Sequence, residues 1–262
     1  MKAFISKIPA DRVPDLTADQ MREVDRMMME ELGIDLLQMM ELAGSALARL
    51  ACCMLGGNVR GRHVVVLAGG GNNGGGGLVA ARHLSNWGTI VSVVTVGASG
   101  RVKPAPRHQI RTARAMGIGI ERLEEIRMEG LEARTAASEL ILDAVIGYGL
   151  SRSPTGLSAM AIPFLNLYGK PVLSLDVPSG FDSSLGVARE PCVRAVATLA
   201  LALPKHGFMS REAREVSGRL YVADIGVPFF LYERMGVNVG TLFQGDPMIE
   251  VDFDSGSAEP SQ

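Results

Sequence analysis

Six short runs of apolar residues recur along the chain, at residues 64–68, 90–96, 140–145, 171–177, 196–203 and 220–225. They are rich in Val, Ile and Leu and show no polar alternation, which predicts strands buried on both faces of a parallel sheet. Helical spacing fills the gaps between the first four runs, at 78–87, 106–116 and 157–168. Upstream, Thr17 with Gln20 predicts a capping box that opens a helix through Met21, Val24 and Met28, broken at Gly33. A second helix is expected over 35–54, with Leu36, Met39, Met40, Leu47 and Leu50 on its apolar side. The β-α-β-α order predicts right-handed crossovers and an α/β fold, a three-layer αβα Rossmann-like sandwich with a mainly parallel sheet.

Composition narrows this picture. At 262 residues, 47% hydrophobic, the chain fits one large domain over 1–262, with a core from about 16 to 245. The tail from Asp246 is acidic and poor in pattern, and its last residues are expected to be disordered. A net charge of -2 argues against a nucleic-acid partner. No segment reads as long and apolar enough to cross a bilayer, so no membrane partner is expected. The N-terminal apolar run is too short for a secretory signal. Cys52, Cys53 and Cys192 lack metal-ligand spacing and read as reduced core thiols, which points to a cytoplasmic setting. The 14 methionines fall mostly at helical spacing, as at Met27, Met28, Met39 and Met40, and read as core packing.

The chemistry begins after the first strand, in Gly69-Gly-Gly-Asn-Asn-Gly-Gly-Gly-Gly77. This reads as a glycine-rich turn before a helix, where backbone amides and the positive helix end can hold a pyrophosphate. Gly69, Gly71 and Gly74 satisfy G-x-G-x-x-G, a weak signal alone. A dinucleotide-binding unit also wants an acid at the end of the second strand, and 93–99 has none. Arg101 is the only candidate for reading a 2′-phosphate, so a hydride-transfer dehydrogenase is disfavoured. The acids are Asp143, late in the third strand, and Asp176, in the same relative place in the fourth. Ligands of open parallel sheets bind beyond the carboxyl ends of the strands, where these segments converge. Asn73, Asp143 and Ser179 offer hard oxygen ligands that suit a cation such as potassium rather than zinc. Lys205 follows the fifth strand at the same edge, either as a solvated loop residue or as a phosphate contact or partner of an acid. His63, His108 and His206 read as surface, and His83 as a structural partner. No Ser-His-Asp triad and no nucleophile elbow can be assembled.

These motifs, in order, resemble the YjeF N-terminal domain family, the NAD(P)HX epimerases. The glycine-rich turn, Leu142-Asp-Ala-Val-Ile-Gly-Tyr-Gly-Leu150, Leu175-Asp-Val-Pro-Ser-Gly180, Ala202-Leu-Pro-Lys205 and Ala223-Asp-Ile-Gly-Val-Pro228 are each similar to a family motif, as is Met40-Glu-Leu-Ala-Gly44. The resemblance implies a homodimer that interconverts the epimers of hydrated NADH or NADPH (NADHX, NADPHX), so that a separate dehydratase can restore the cofactor. It implies substrate contacts at Asn72, Asn73, Gly74, Gly75, Gly76, Gly147, Tyr148, Gly149, Leu150, Ser151, Arg152, Ser153 and Asp176. It implies potassium at Asn73, Asp143 and Ser179. Asp176 is the expected acid–base group, with Lys205 second. Two positions depart from the family pattern: Gly76 stands where the family has Asp, and Leu42 where its helix motif usually has Asn. The alternative is a catalytically diverged nucleotide-binding or protein-binding scaffold on the same fold.

Overall fold

The computed structural model describes residues 5–97 and 102–255. The strands are β1 (Ser6–Pro9), β2 (His63–Gly69), β3 (Ile90–Val96), β4 (Gly119–Arg122), β5 (Leu140–Ala144), β6 (Val172–Leu175), the short hairpin β7 (Phe181–Asp182) and β8 (Val187–Ala188), β9 (Ala197–Leu201), β10 (Arg219–Ala223) and β11 (Met248–Asp252). Nine of them form one sheet in the order β1-β11-β10-β9-β6-β5-β2-β3-β4. Its pairings are parallel except that of β10 with β11. All six expected strands are present, and the three-layer reading stands.

Alternation along β2 shows how the layers are built. Val64, Val66 and Ala68 face a core with Leu47 and Leu50 of α2 (Leu36–Met54), Leu78 and Leu84 of α3 (Asn72–Asn86) and Ala113 of α4 (Pro104–Ala115). Val65 and Leu67 face the opposite core, with Leu131 of α5 (Leu123–Ala137) and Ile162 and Leu165 of α6 (Gly156–Leu167). Helix α1 (Ala18–Arg26) opens with the expected capping box and continues as a π-helical turn over Met27–Glu31. It packs Met21, Val24 and Met28 at the carboxyl edge of the sheet, against Leu203, Ile225 and Leu231. Helices α7 (Arg211–Ser217) and α8 (Phe229–Arg234) complete the fold.

Four expectations are corrected. The helix expected to begin at residue 78 begins at Asn72, so Gly74 to Gly77 are its first turns rather than a loop. Part of the tail is ordered: Met248–Asp252 forms β11, between β1 and β10, while residues 256–262 lie outside the described residues. By length and composition α2, 19 residues of mean hydropathy 1.2, could cross a bilayer. Here it is a core helix, with Leu47, Ala48, Leu50 and Ala51 buried against the sheet and α3. Of the two neighbouring cysteines expected in the core, Cys53 is exposed and Cys52 half-buried.

Candidate functional site

Strands β6 and β9 are hydrogen-bonded neighbours, and both end the same way. After β6, the Val177 N–H bonds the Leu175 carbonyl, with Asp176 between them at φ +68°. After β9, the Leu203 N–H bonds the Leu201 carbonyl, with Ala202 between them at φ +64°. Non-glycine residues seldom adopt this conformation, and it costs of order 1–3 kcal/mol where tertiary structure imposes it. The first turn brings the Asp176 carboxylate up at the sheet edge. The second folds the chain so that Lys205 passes beneath it.

Lys205 is 0% exposed and Asp176 3%. The Lys205 Nζ donates to Asp176 Oδ1 at 2.6 Å and to the Leu201 carbonyl at 3.0 Å. The other oxygen of Asp176, Oδ2, accepts the Tyr148 backbone N–H at 2.8 Å. Removing one partner of such a buried pair leaves an uncompensated charge and costs about 3–5 kcal/mol. Of the three readings open for Lys205, the structure selects the partner of an acid.

The two acids do different work. Asp143 lies inside β5, 0% exposed, and is not at the pocket surface. Its Oδ1 accepts from the Ser179 hydroxyl (2.6 Å) and the Val145 N–H (3.2 Å), and its Oδ2 from the Ser174 hydroxyl (2.8 Å) and the Ser179 N–H (2.9 Å). Burial pushes its carboxyl up, and these hydrogen bonds oppose the shift. Ser179 also accepts the Ile146 N–H at 2.8 Å, so Asp143 and Ser179 together fasten the loops after β5 and β6. Asn73, second residue of α3, is half-buried beside Gly147; both atoms of its side-chain amide are shut off from solvent, and neither has a hydrogen-bond partner.

A cavity of about 420 Å³ opens above these residues. It is lined by Asn72, Asn73 and Gly76 of α3, by Gly147, Tyr148 and Gly149, and by Asp176 and Lys205. The first amides of α3 have no partner within the helix and lie at its positive end, which suits an anionic group. Gly74 and Gly75 are buried and do not line the cavity. A Cβ on Gly74 would run into the Gly69 carbonyl, one on Gly75 would lie 2.6 Å from the Met40 sulfur, and one on Gly77 2.5 Å from the Ala144 Cβ. Those glycines are there for close packing. Leu150, Ser151, Arg152 and Ser153 lie further along the loop, the last three exposed and none of the four against the cavity. Arg101 lies outside the described residues. His83 is a structural partner, its Nε2 2.8 Å from Glu41 Oε1.

Sequence reasoning missed the far wall. Met21, Arg22 and Asp25 of α1 and Met39, Met40 and Ala43 of α2 line the same cavity, with Lys103 at the start of α4. Asp25 Oδ2 accepts the Tyr148 hydroxyl at 2.9 Å. Burial pushes the Asp25 carboxyl up; the Tyr148 bond and the charge of Lys205 oppose the shift, and the charge of Asp176 adds to it. The readable signal was Asp25 sharing a helix face with Met21 and Met28, at a spacing of four and three residues.

A parallel α/β sheet with a helix-start cradle and a buried carboxylate–ammonium pair at its carboxyl edge defines a Rossmann-like domain with a small-molecule pocket. Residues 36–207 match the family described as YjeF-related protein N-terminus. The NAD(P)H-hydrate epimerase of Dehalogenimonas lykanthroporepellens is 39% identical over 225 residues, covering 86% of this chain and 87% of the relative. The bifunctional NAD(P)H-hydrate repair enzyme Nnr of Thermofilum pendens is 35% identical over 222 residues, 85% of this chain but 42% of that longer protein. The crystal structure of yeast ynu0, YNL200c, superposes with a TM-score of 0.78 at 24% identity, over 91% of this chain and 100% of that one, a likeness of fold. The chain belongs to the YjeF-related N-terminal family.

Proposed function

We propose that the protein epimerises hydrated NADH and NADPH, acting before a separate dehydratase in nicotinamide-nucleotide repair. The observation that carries this is the Asp176–Lys205 pair, buried at the base of a cavity whose other wall is the start of α3, in a chain 39% identical to a protein named NAD(P)H-hydrate epimerase. The hydroxylated carbon of the substrate neighbours the ring nitrogen. Inverting it means losing the hydroxyl to an iminium-like species and regaining it from water on the other face. Asp176 is placed to give or take the proton, and Lys205 and the Tyr148 N–H fix both of its oxygens. The α3 amides with Asn72 are suited to the pyrophosphate.

Potassium fits the site as a structural ion. The unpartnered buried amide oxygen of Asn73 is an acceptor without a donor, which a cation would relieve. Asp143 and Ser179 would supply a charge and a hydroxyl, and the Ile146 carbonyl lies 3.3 Å from the Ser179 oxygen. Such an ion would tie the loops after β5 and β6 to α3. Among the described residues no cluster of three His, Cys, Asp or Glu side chains offers a site of the transition-metal kind. A homodimer is supported by exposed apolar side chains: Leu42, which lies against Gly226, and Phe229 and Phe230, three and four residues beyond that glycine. A cytoplasmic, reducing location is in keeping with three unpaired cysteines.

The test is epimer exchange. One isolated epimer of NADHX is mixed with the protein in potassium buffer, and the approach to equilibrium is followed by chromatography. Acceleration that Asp176→Asn abolishes supports the reading. No acceleration by a protein that still binds the nucleotide rejects it in favour of the scaffold alternative.

A further inference from the structure

The geometry points to Asp25 as a second acid–base residue of the site, facing the opposite side of the substrate ring from Asp176. This rests on the epimerase reading. Tyr148 joins the two carboxylates: its backbone N–H is on Asp176 and its hydroxyl is on Asp25. The carboxylates thus stand at opposite ends of one tyrosine, and both line the cavity. Asp176 comes from the sheet edge and Asp25 from the helix laid over it, so a planar ring between them is reached from two directions. That arrangement serves inversion through a planar intermediate, because departure and addition occur on opposite faces and each then has a carboxylate on its own side.

The step balances as follows. Asp25, as the carboxylic acid, protonates the departing hydroxyl. The C–O bond breaks, the ring-nitrogen lone pair forms the C=N bond, and water leaves. On the other face a water oxygen forms the new C–O bond, the C=N electron pair returns to nitrogen, and Asp176 accepts the proton. The opposite epimer uses the two residues in reversed roles, and exchange with solvent resets them. Burial favours the acid form of Asp25. Among the described residues, Tyr148 from the β5–α6 loop, Lys205 after β9 and Asp176 after β6 act on it, and Arg22 on α1 itself and Lys103 at the start of α4 are the other charged side chains lining the cavity. Arg26, on the next position, is paired with Glu23, Glu30 and Glu31.

The experiment is the pH profile of NADHX epimer exchange for the wild type, Asp25→Asn, Asp25→Glu and Tyr148→Phe. Asp25→Asn is expected to be slower by roughly 10²–10⁴-fold and to lose the alkaline limb, with Asp25→Glu recovering part of the rate and the limb. Tyr148→Phe removes a hydrogen bond to the ionised carboxylate, so its alkaline limb is expected at higher pH. Asp25→Asn within about threefold of wild type overturns the role, as does a slower variant with both limbs intact. If Asp25→Asn does not fold, an unmoved limb in Tyr148→Phe overturns it instead. A wild type that gives no acceleration removes the epimerase reading and this role together, whereas an active wild type with an indifferent Asp25→Asn removes only the role.

Discussion

Lys205 and Asp176 meet inside the protein, Nζ to Oδ1 at 2.6 Å, because two adjacent strands end in the same three-residue turn. Lys205 is fully buried, and Asp176 meets solvent only through the cavity. Lys205→Met is therefore expected to cost about 3–5 kcal/mol in urea unfolding. The double variant Lys205→Met with Asp176→Asn removes both charges and is expected to recover most of that loss without recovering epimer exchange. Additive losses in the double-mutant cycle would show that the pair is not coupled.

The four consecutive glycines of α3 are expected to respond unequally. Gly74→Ala presses a methyl into the Gly69 carbonyl and is expected to destabilise by at least about 3 kcal/mol. Gly76 meets only the far end of the Leu175 side chain, at 2.7 Å, so Gly76→Asp is expected to fold within about 1–2 kcal/mol of wild type. Because Gly76 lines the cavity, that variant is expected to change KM for the nucleotide. Thermal melts and steady-state kinetics on the two variants check both halves.

Potassium is expected to raise the melting temperature of the wild type relative to a bulky organic cation, by an amount that grows with its concentration. Asn73→Ala is expected to remove the rise. An equal rise in the variant would place the ion elsewhere.

The stability of the protein carries the mark of Asp25. Its carboxyl is raised above the ordinary 3.8, so the folded state holds a proton that the unfolded chain releases. That contribution is fully present below about pH 3.8 and is lost as the pH climbs through the raised value. Asp25→Asn titrates nowhere, so relative to the wild type it is expected to gain stability between mildly acidic and neutral pH. Denaturation midpoints of the two proteins, compared at pH 4 and pH 7, check the sign. Parallel curves would mean that Asp25 titrates alike in both states.

The sheet interior was legible because β2, β3, β5, β6, β9 and β10 are largely apolar on both faces. The edges were harder. β4 is four residues with Gly119 first, and β11 alternates Met248-Ile-Glu-Val-Asp within an otherwise acidic tail. α5 is bent at Arg127, φ +56°, which interrupts its periodicity. At the site, the glycine-rich stretch and Asp176 could be read from their places beside strands. Burial of Lys205 could not, because it depends on a positive φ at Ala202, and alanine gives no hint of one. The role of Asp25 was hidden for the opposite reason: a charged residue in a helix dense with Glu and Arg looks solvated until its Met neighbours are placed.

Glycine costs roughly 1 kcal/mol against alanine inside a helix, so the opening turns of α3 have little tendency to form by themselves. They are kept helical by what lies on them: the Met40 side chain against Gly75, the α2 backbone at Gly44 against Val79, and Ala144 beneath Gly77. The amides offered to a ligand are thus organised by α2, the same helix whose Met39, Met40 and Ala43 line the cavity. By linkage, a nucleotide that grips those amides also fastens α2 to α3, and loosening α2 weakens the grip by the same free energy. Occupancy of the pocket and attachment of α2 are two readings of a single equilibrium.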